Sequence, residues 1–289
     1  MQSTRPSLKG QVAVVTGATS GIGRWVAHGL SALGATTVVV GRSVPRAVAA
    51  ARSIAEETQN PEVVPIAVSD LALRSEVARL SGLLLDRYPR IHLLINNAGA
   101  YYHRREVTAE GLERTFALNV LTPFALTAYL LPRILESAPS RIVMVASEAH
   151  RGRRVDFADL QGDREYRGFR QYGRSKLEVI LLAREFSRRV RGHPVTVNAV
   201  HPGFVASGFG RNNGGAVGFG IGLAARLFGR DVRAAGDDVA FVASDPSLDT
   251  VTGQYFSRRR LRPGSAESED PNAASRLYAA CAELAKPFV

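Results

Sequence analysis

The chain has 289 residues, 45% hydrophobic and 22% charged, the balance of a globular protein able to bury a full-sized core. A single cysteine, Cys281, excludes an internal disulfide, and six dispersed histidines lack metal-ligand spacing, so no zinc or iron–sulfur site is expected. The formal charge is +11, but its densest groups, Arg151/Arg153/Arg154 and Arg258/Arg259/Arg260, lie in loop-like segments without interleaved aromatics, which argues against nucleic acid as the partner.

In chain order, short β-branched runs alternate with segments of helical period. Buried strands are expected at Gln11–Thr16, Thr36–Val40, Val63–Val68, Ile91–Asn96, Arg141–Ala146 and Val195–His201, because each is a brief apolar run bounded by turn residues. Helices are expected at Gly21–Leu33, Val44–Thr58, Ser75–Tyr88, Gly111–Leu135, Gly173–Arg191 and Asn272–Leu284. This alternation predicts an α/β, doubly wound parallel sheet of about seven strands with helices on both faces.

One domain is expected over residues 1–289, with a tail at 1–10 and a C-terminal segment at 262–289. Two stretches break the rhythm: the polar connection Ser147–Phe169 and the Gly-rich segment Gly203–Gly236, read as a substrate lid. Both follow carboxyl ends of strands, where open parallel sheets bind ligands. No apolar run approaches the roughly 18 residues that span a bilayer, and no signal-peptide layout is visible. A soluble, cytoplasmic protein without a membrane anchor is the expectation.

The first strand runs into Thr16-Gly17-Ala18-Thr19-Ser20-Gly21-Ile22-Gly23. Glycines in such a turn let the backbone approach a pyrophosphate, and the helix beginning near Gly21 aims free N–H groups and its positive end at the anion. At the end of the second strand, where a carboxylate would bind the ribose 2′-hydroxyl of NAD, stand Gly41-Arg42-Ser43. Arg42 offers a fork suited to the 2′-phosphate, so NADP(H) is expected over NAD(H). Asp70-Leu71, after the third strand, is placed to meet the adenine.

Tyr172 and Lys176 are four residues apart, on one helix face. Chance supplies about 0.08 such pairs in a chain of this composition. A nearby ammonium is expected to draw the phenol, normally near pKa 10, towards neutrality.

With Asn96-Asn97-Ala98-Gly99, Asn119, Ser147 and His201-Pro202-Gly203 in the same order, the chain resembles a short-chain dehydrogenase/reductase over nearly its whole length. Val145–His150, Leu160–Gly162 and Val251–Phe256 resemble the retinol dehydrogenase-like and WW-domain oxidoreductase-like branch. The resemblance implies that Tyr172 is the general acid or base, Lys176 lowers its pKa and holds the nicotinamide ribose, and Ser147 polarises the substrate oxygen. It further implies that Asn119 anchors a proton-relaying water, and that Asn97, Ala98, Gly99, Pro202, Gly203, Val205 and Ser207 border the cofactor. His150 and His201 are expected to be satisfied structural residues.

The implied activity is hydride exchange between NADP(H) and a carbonyl or alcohol on a fairly apolar small molecule. Tyr101, Tyr102, Phe204, Phe209 and Phe219 are candidates to line its pocket. Two other readings keep the same fold: a redox-neutral epimerase or dehydratase, and a non-catalytic NADP(H) sensor. The helices Gly111–Leu135 and Gly173–Arg191 correspond to those that pair across oligomers in many relatives, which suggests a homodimer.

Overall fold

The computed structural model describes residues 6–203, 205 and 230–286. Ser207, Phe204, Phe209, Phe219 and most of the expected lid lie outside them. The strands are β1 (Val12–Thr16), β2 (Thr36–Gly41), β3 (Val63–Ala67), β4 (Leu93–Asn96), β5 (Ser140–Val145), β6 (Val195–His201), β7 (Tyr255–Ser257) and β8 (Arg260–Leu261). They form one sheet in the order β3-β2-β1-β4-β5-β6-β7-β8. All pairings are parallel except the last, β7 with β8. Among the described residues the sheet thus has eight strands, two more than the six runs that the sequence marks. The two additional ones are three and two residues long, too short for an alternation pattern to show.

The helices are α1 (Gly21–Ala32), α2 (Val44–Thr58), α3 (Arg74–Arg87), α4 (Arg114–Glu136), α5 (Gly168–Arg189), α6 (Val232–Ser244) and α7 (Pro271–Ala285). Strand residues alternate between two cores. Val14, Val38, Leu94, Ile142 and Met144 face one set of helices with Phe116, Leu130, Leu181 and Leu277. Ala13, Val15, Val39, Ile95 and Val143 face the other with Val26, Leu30, Ile54 and Val239. Burying both faces is what makes these strands read as continuous apolar runs.

Three boundaries differ from expectation. Residues 232–236, assigned to the lid, are the first turn of α6, capped by the Asp231 carboxylate accepting from the Ala234 N–H at 2.8 Å. Helix α5 begins at Gly168 rather than Gly173, so Tyr172 sits inside its second turn. Part of the expected tail is packed: Leu8 is buried, and its N–H donates to the Leu33 carbonyl at 2.8 Å.

Helix α4 is long and apolar enough, by length and composition, to cross a membrane, contrary to the reading that no segment would reach that size. In this fold 72% of its most apolar window is buried, packed beside α3 and α7. Helix α7 lies against both α4 and α5, the two helices expected to pair between subunits. Phe124, Phe186 and Tyr278 stack there with centroids 4.9–5.7 Å apart.

Candidate active site

The direction of winding reverses between β1 and β4, which opens a crevice at their carboxyl ends. Thr16 and Asn97 clasp these two ends. The Thr16 hydroxyl accepts from the Asn97 and Ala98 N–H groups, both at 3.0 Å, and Asn97 Nδ2 donates to the Thr16 carbonyl at 2.8 Å. Gly17 turns the chain with φ of 66°, a conformation that favours glycine. A Cβ at Gly23 would collide with the Gly17 carbonyl and the Asn97 amide.

Helix α1 begins at Gly21 after Ser20, whose side chain makes no capping hydrogen bond, so the first N–H groups are not spoken for by a cap. Thr19 and Ile22 flank that terminus. Thr19 also lies against Gly41, where any Cβ would meet its methyl. Arg42 is exposed in the turn between β2 and α2, and Arg46 follows in the first turn of α2. Among the described residues neither has a carboxylate partner. A glycine turn, an uncapped helix start and two available guanidiniums fit a dinucleotide carrying a ribose phosphate.

Asp70 is more constrained than expected. Its carboxylate forms an ion pair with Arg114, and its Oδ1 accepts from the Ala72 N–H at 3.0 Å. Leu71 is buried, with its carbonyl accepting from the Thr122 hydroxyl. Tyr102 is buried beneath this pair, its hydroxyl accepting from Arg114 Nε at 3.2 Å. It therefore supports the Asp70 side of the crevice.

At the next crevice wall, Gly99 borders both the Asn119 Oδ1 and the Lys176 Nζ. Asn119 lies in a π-helical turn of α4, Ala117–Leu121. Its Oδ1 accepts from the Ala100 N–H and its Nδ2 donates to the Ala100 carbonyl, both at 2.9 Å. The same Nδ2 donates to the Ser175 hydroxyl at 3.0 Å. Asn119 thus fastens the β4 end to α5 with its side chain.

Ser147, Tyr172 and Lys176 come together as expected. The Ser147 hydroxyl lies beside the Tyr172 phenol, where it favours the ionised form, and accepts from the Ala149 N–H at 3.2 Å. Lys176 Nζ lies 5.7 Å from the phenol ring centre and donates to the Val145 carbonyl at 2.8 Å. Tyr101, 7% exposed, meets Tyr172 edge-on at 6.2 Å.

The electrostatics correct one expectation. Burial pushes the Tyr172 phenol up to about 12, and the Ser147 hydroxyl opposes this only in part. Burial also pushes the Lys176 ammonium down to about 8. The chain's own groups therefore raise the tyrosine pKa. Desolvation is the largest effect on the phenol, and the Lys176 ammonium is turned to the Val145 carbonyl.

Pro202 and Gly203 follow β6. The Pro202 carbonyl accepts from Arg230 at 3.3 Å, and Val205 pairs with Arg230 as an isolated parallel bridge. Arg230 is in turn ion-paired to the buried Asp238. His150 is satisfied, as expected: Nδ1 donates to the Ser147 carbonyl at 2.7 Å while Nε2 accepts from the Ser265 N–H at 3.2 Å. His201 is different. Among the described residues its Nδ1 is buried without a partner, and burial holds its pKa down to about 4.

Sequence reasoning missed Ser175, Thr16, Arg114 and Glu148. Glu148 accepts from the Tyr255 hydroxyl at 2.7 Å, fixing the segment after Ser147 to β7. Ser175 carried a readable signal, since it is three residues from Tyr172 and the helix brings it level with the same turn. The other three depend on contacts 44 to 107 residues away in sequence.

Comparison with known proteins agrees with this geometry. Residues 11–217 match the family model described as short chain dehydrogenase. The chain is 33% identical to retinol dehydrogenase 13 of Mus musculus over 97% of its own length and 85% of that protein. It is 35% identical to a Streptomyces sp. (strain C5) protein provisionally named a daunorubicin C-13 ketoreductase, over 95% and 92% of the two chains. Among solved structures, a protein from Mycobacterium paratuberculosis superposes with a TM-score of 0.75 at 28% identity, covering 98% of this chain and 96% of that one. The chain belongs to the short-chain dehydrogenase/reductase family, oxidoreductases that use NAD(P) to interconvert alcohols and carbonyls.

Proposed function

We propose that this protein is an NADPH-dependent carbonyl reductase acting on a fairly apolar small molecule, with Tyr172 as its proton donor. The observation that carries the proposal is the convergence of Ser147, Tyr172 and Lys176 beside a glycine-bordered crevice. When bound there, NADPH supplies a hydride to the carbonyl carbon. Ser147, already beside the Tyr172 phenol, is placed to hold the substrate oxygen. Tyr172, with its pKa pushed up to about 12, remains protonated at neutral pH and donates to that oxygen. Lys176 holds the cofactor ribose, and Asn119 with Ser175 fixes the tyrosine turn.

The phosphates are assigned to the backbone of Gly17, Thr19, Ser20, Gly21, Ile22 and Gly23, and the ribose phosphate to Arg42. Asp70, Leu71, Asn97, Ala98 and Gly99 border the adenine and ribose side, and Pro202, Gly203, Val205 and Ser207 the nicotinamide side. Tyr101, packed edge-on to Tyr172, supports an apolar or aromatic substrate. The test is cofactor consumption by purified protein across a panel of ketones and aldehydes, run with NADPH and with NADH. Turnover that prefers NADPH supports the assignment. Failure to bind either nicotinamide overturns it.

A further inference from the structure

The far side of α5 carries a second cavity, of about 810 Å³, between the segment 152–165 and α7. Residues 170 and 174 line it, each two positions, roughly 200° around the helix, from Tyr172, and 174 is the same step from Lys176. The cavity therefore opens away from the hydride-transfer crevice. Six arginines line it (Arg153, Arg154, Arg164, Arg170, Arg174 and Arg276), against three carboxylates, Asp156, Asp159 and Glu165. Six positive and three negative charges leave +3, or +2 once Glu267, which pairs with Arg154 from outside the lining, is counted.

The carboxylates are already engaged. Asp159 accepts from the Asp163 and Arg164 N–H groups at 2.6 and 3.3 Å, Asp156 from the Ala158 N–H at 3.1 Å, and Glu165 from Arg167 and Arg170 at 2.7 and 2.8 Å. The arginines are not correspondingly satisfied. Among the described residues, Arg153, Arg164 and Arg276 have no carboxylate partner. Arg153 Nε is buried with no hydrogen-bond partner among the described residues, wedged between Gly173 and the Phe169 ring. Arg174, 6% exposed, donates to the Asp159 carbonyl at 2.7 Å. Arg276 sits 4.2 Å over Phe157, which fixes its direction.

We propose that this cavity binds a small polyanion bearing two or more phosphate groups. Clustered guanidiniums repel one another, and an occupant with several charged oxygens removes that cost while filling the planar N–H forks. The charge excess matches a di- or triphosphate better than a monocarboxylate. The volume lies within the range of small-molecule sites. Arg153 and Arg154, which looked like a dispersed basic loop in the sequence, form one wall.

The test is isothermal titration of the full chain with sodium tripolyphosphate, at low and at moderate salt. The wild type is compared with an Arg164→Glu/Arg276→Glu variant and with Arg42→Glu in the cofactor crevice. With NADPH present to fill the cofactor crevice, the expected result is one saturable site per chain that weakens with salt. Its affinity falls about tenfold or more in the Arg164/Arg276 variant, is unchanged in Arg42→Glu, and both variants melt like the wild type. Three results would overturn the proposal: no saturation by about 10 mM, loss in Arg42→Glu alone, or equal weakening in both variants with more than one tripolyphosphate bound.

Discussion

Asn119 donates to the Ser175 hydroxyl at 3.0 Å, and that hydroxyl donates in turn to the Tyr172 carbonyl at 2.7 Å. The tyrosine turn is thereby tied to the π-helical turn of α4 and, through Asn119, to Ala100 at the end of β4. Ser175→Ala removes the link and keeps the volume. The fold should survive, with stability lower by about 1–3 kcal/mol for a lost buried hydrogen bond. Turnover number should fall about tenfold while the Kd for NADPH holds, because only the phenol loses its register. Steady-state kinetics with a fluorescence binding isotherm separates the two effects.

Arg42 tests the cofactor preference. Its guanidinium is exposed and has no carboxylate partner among the described residues, so nothing within the fold depends on it. Arg42→Ala should lower kcat/KM for NADPH by about 10–100-fold, the loss of one charge-assisted contact, and leave the NADH value nearly constant. Equal effects on both cofactors would move the phosphate contact elsewhere.

Two buried groups two residues apart on α5 predict opposite pH dependences of stability. Lys176 is held down to about 8 by burial, below its ordinary 10.5. Between pH 8 and 10.5 the unfolded chain binds the extra proton, so stability rises with pH through that window, and the full penalty stands below 8. Lys176→Met should therefore stabilise the protein at pH 7 by about 3 kcal/mol, an advantage that disappears above pH 10.5. Thermal melts across pH 6–11 check this even in an inactive variant.

Glu178 runs the other way. Both its oxygens are buried without hydrogen-bond partners among the described residues, and burial, opposed by Arg174 and aided by Glu113, pushes its pKa up to about 8 from 4.5. The folded state holds the proton that the unfolded state releases, so stability falls as pH rises from 4.5 to 8. Glu178→Gln should be close to wild type at pH 4.5 and more stable by about 3 kcal/mol at pH 7. A difference that does not change with pH would mean that Glu178 is already ionised in the fold.

The six long strands and the helices between them were legible because each strand is buried on both faces and each helix carries a periodic apolar stripe. β7 and β8 were not, since pairing and not composition makes a strand of three residues. The start of α6 was misread as lid because Gly236 looked like part of a glycine-rich loop. In the fold it faces Trp25 of α1, where a side chain would collide. The candidate site followed the same division. Spacing along one helix revealed Tyr172 and Lys176, the glycine turn after the first strand revealed Gly17, and the family resemblance supplied Asn97 and Ser147. The Arg114–Asp70 pair and the Thr16–Asn97 clasp join distant segments and had no local signature. The rise in the Tyr172 pKa was also out of reach, because it depends on how far burial outweighs a nearby charge.

The most direct test of the account is Tyr172→Phe, assayed for NADPH binding and for NADPH oxidation with a ketone that the wild type reduces. The substitution removes one oxygen and keeps the ring against Tyr101. Binding should remain at the wild-type Kd, and turnover should fall by about 10²–10⁴-fold, the contribution of a positioned general acid. Turnover retained within a few-fold of wild type would contradict the assignment of Tyr172 as the proton donor.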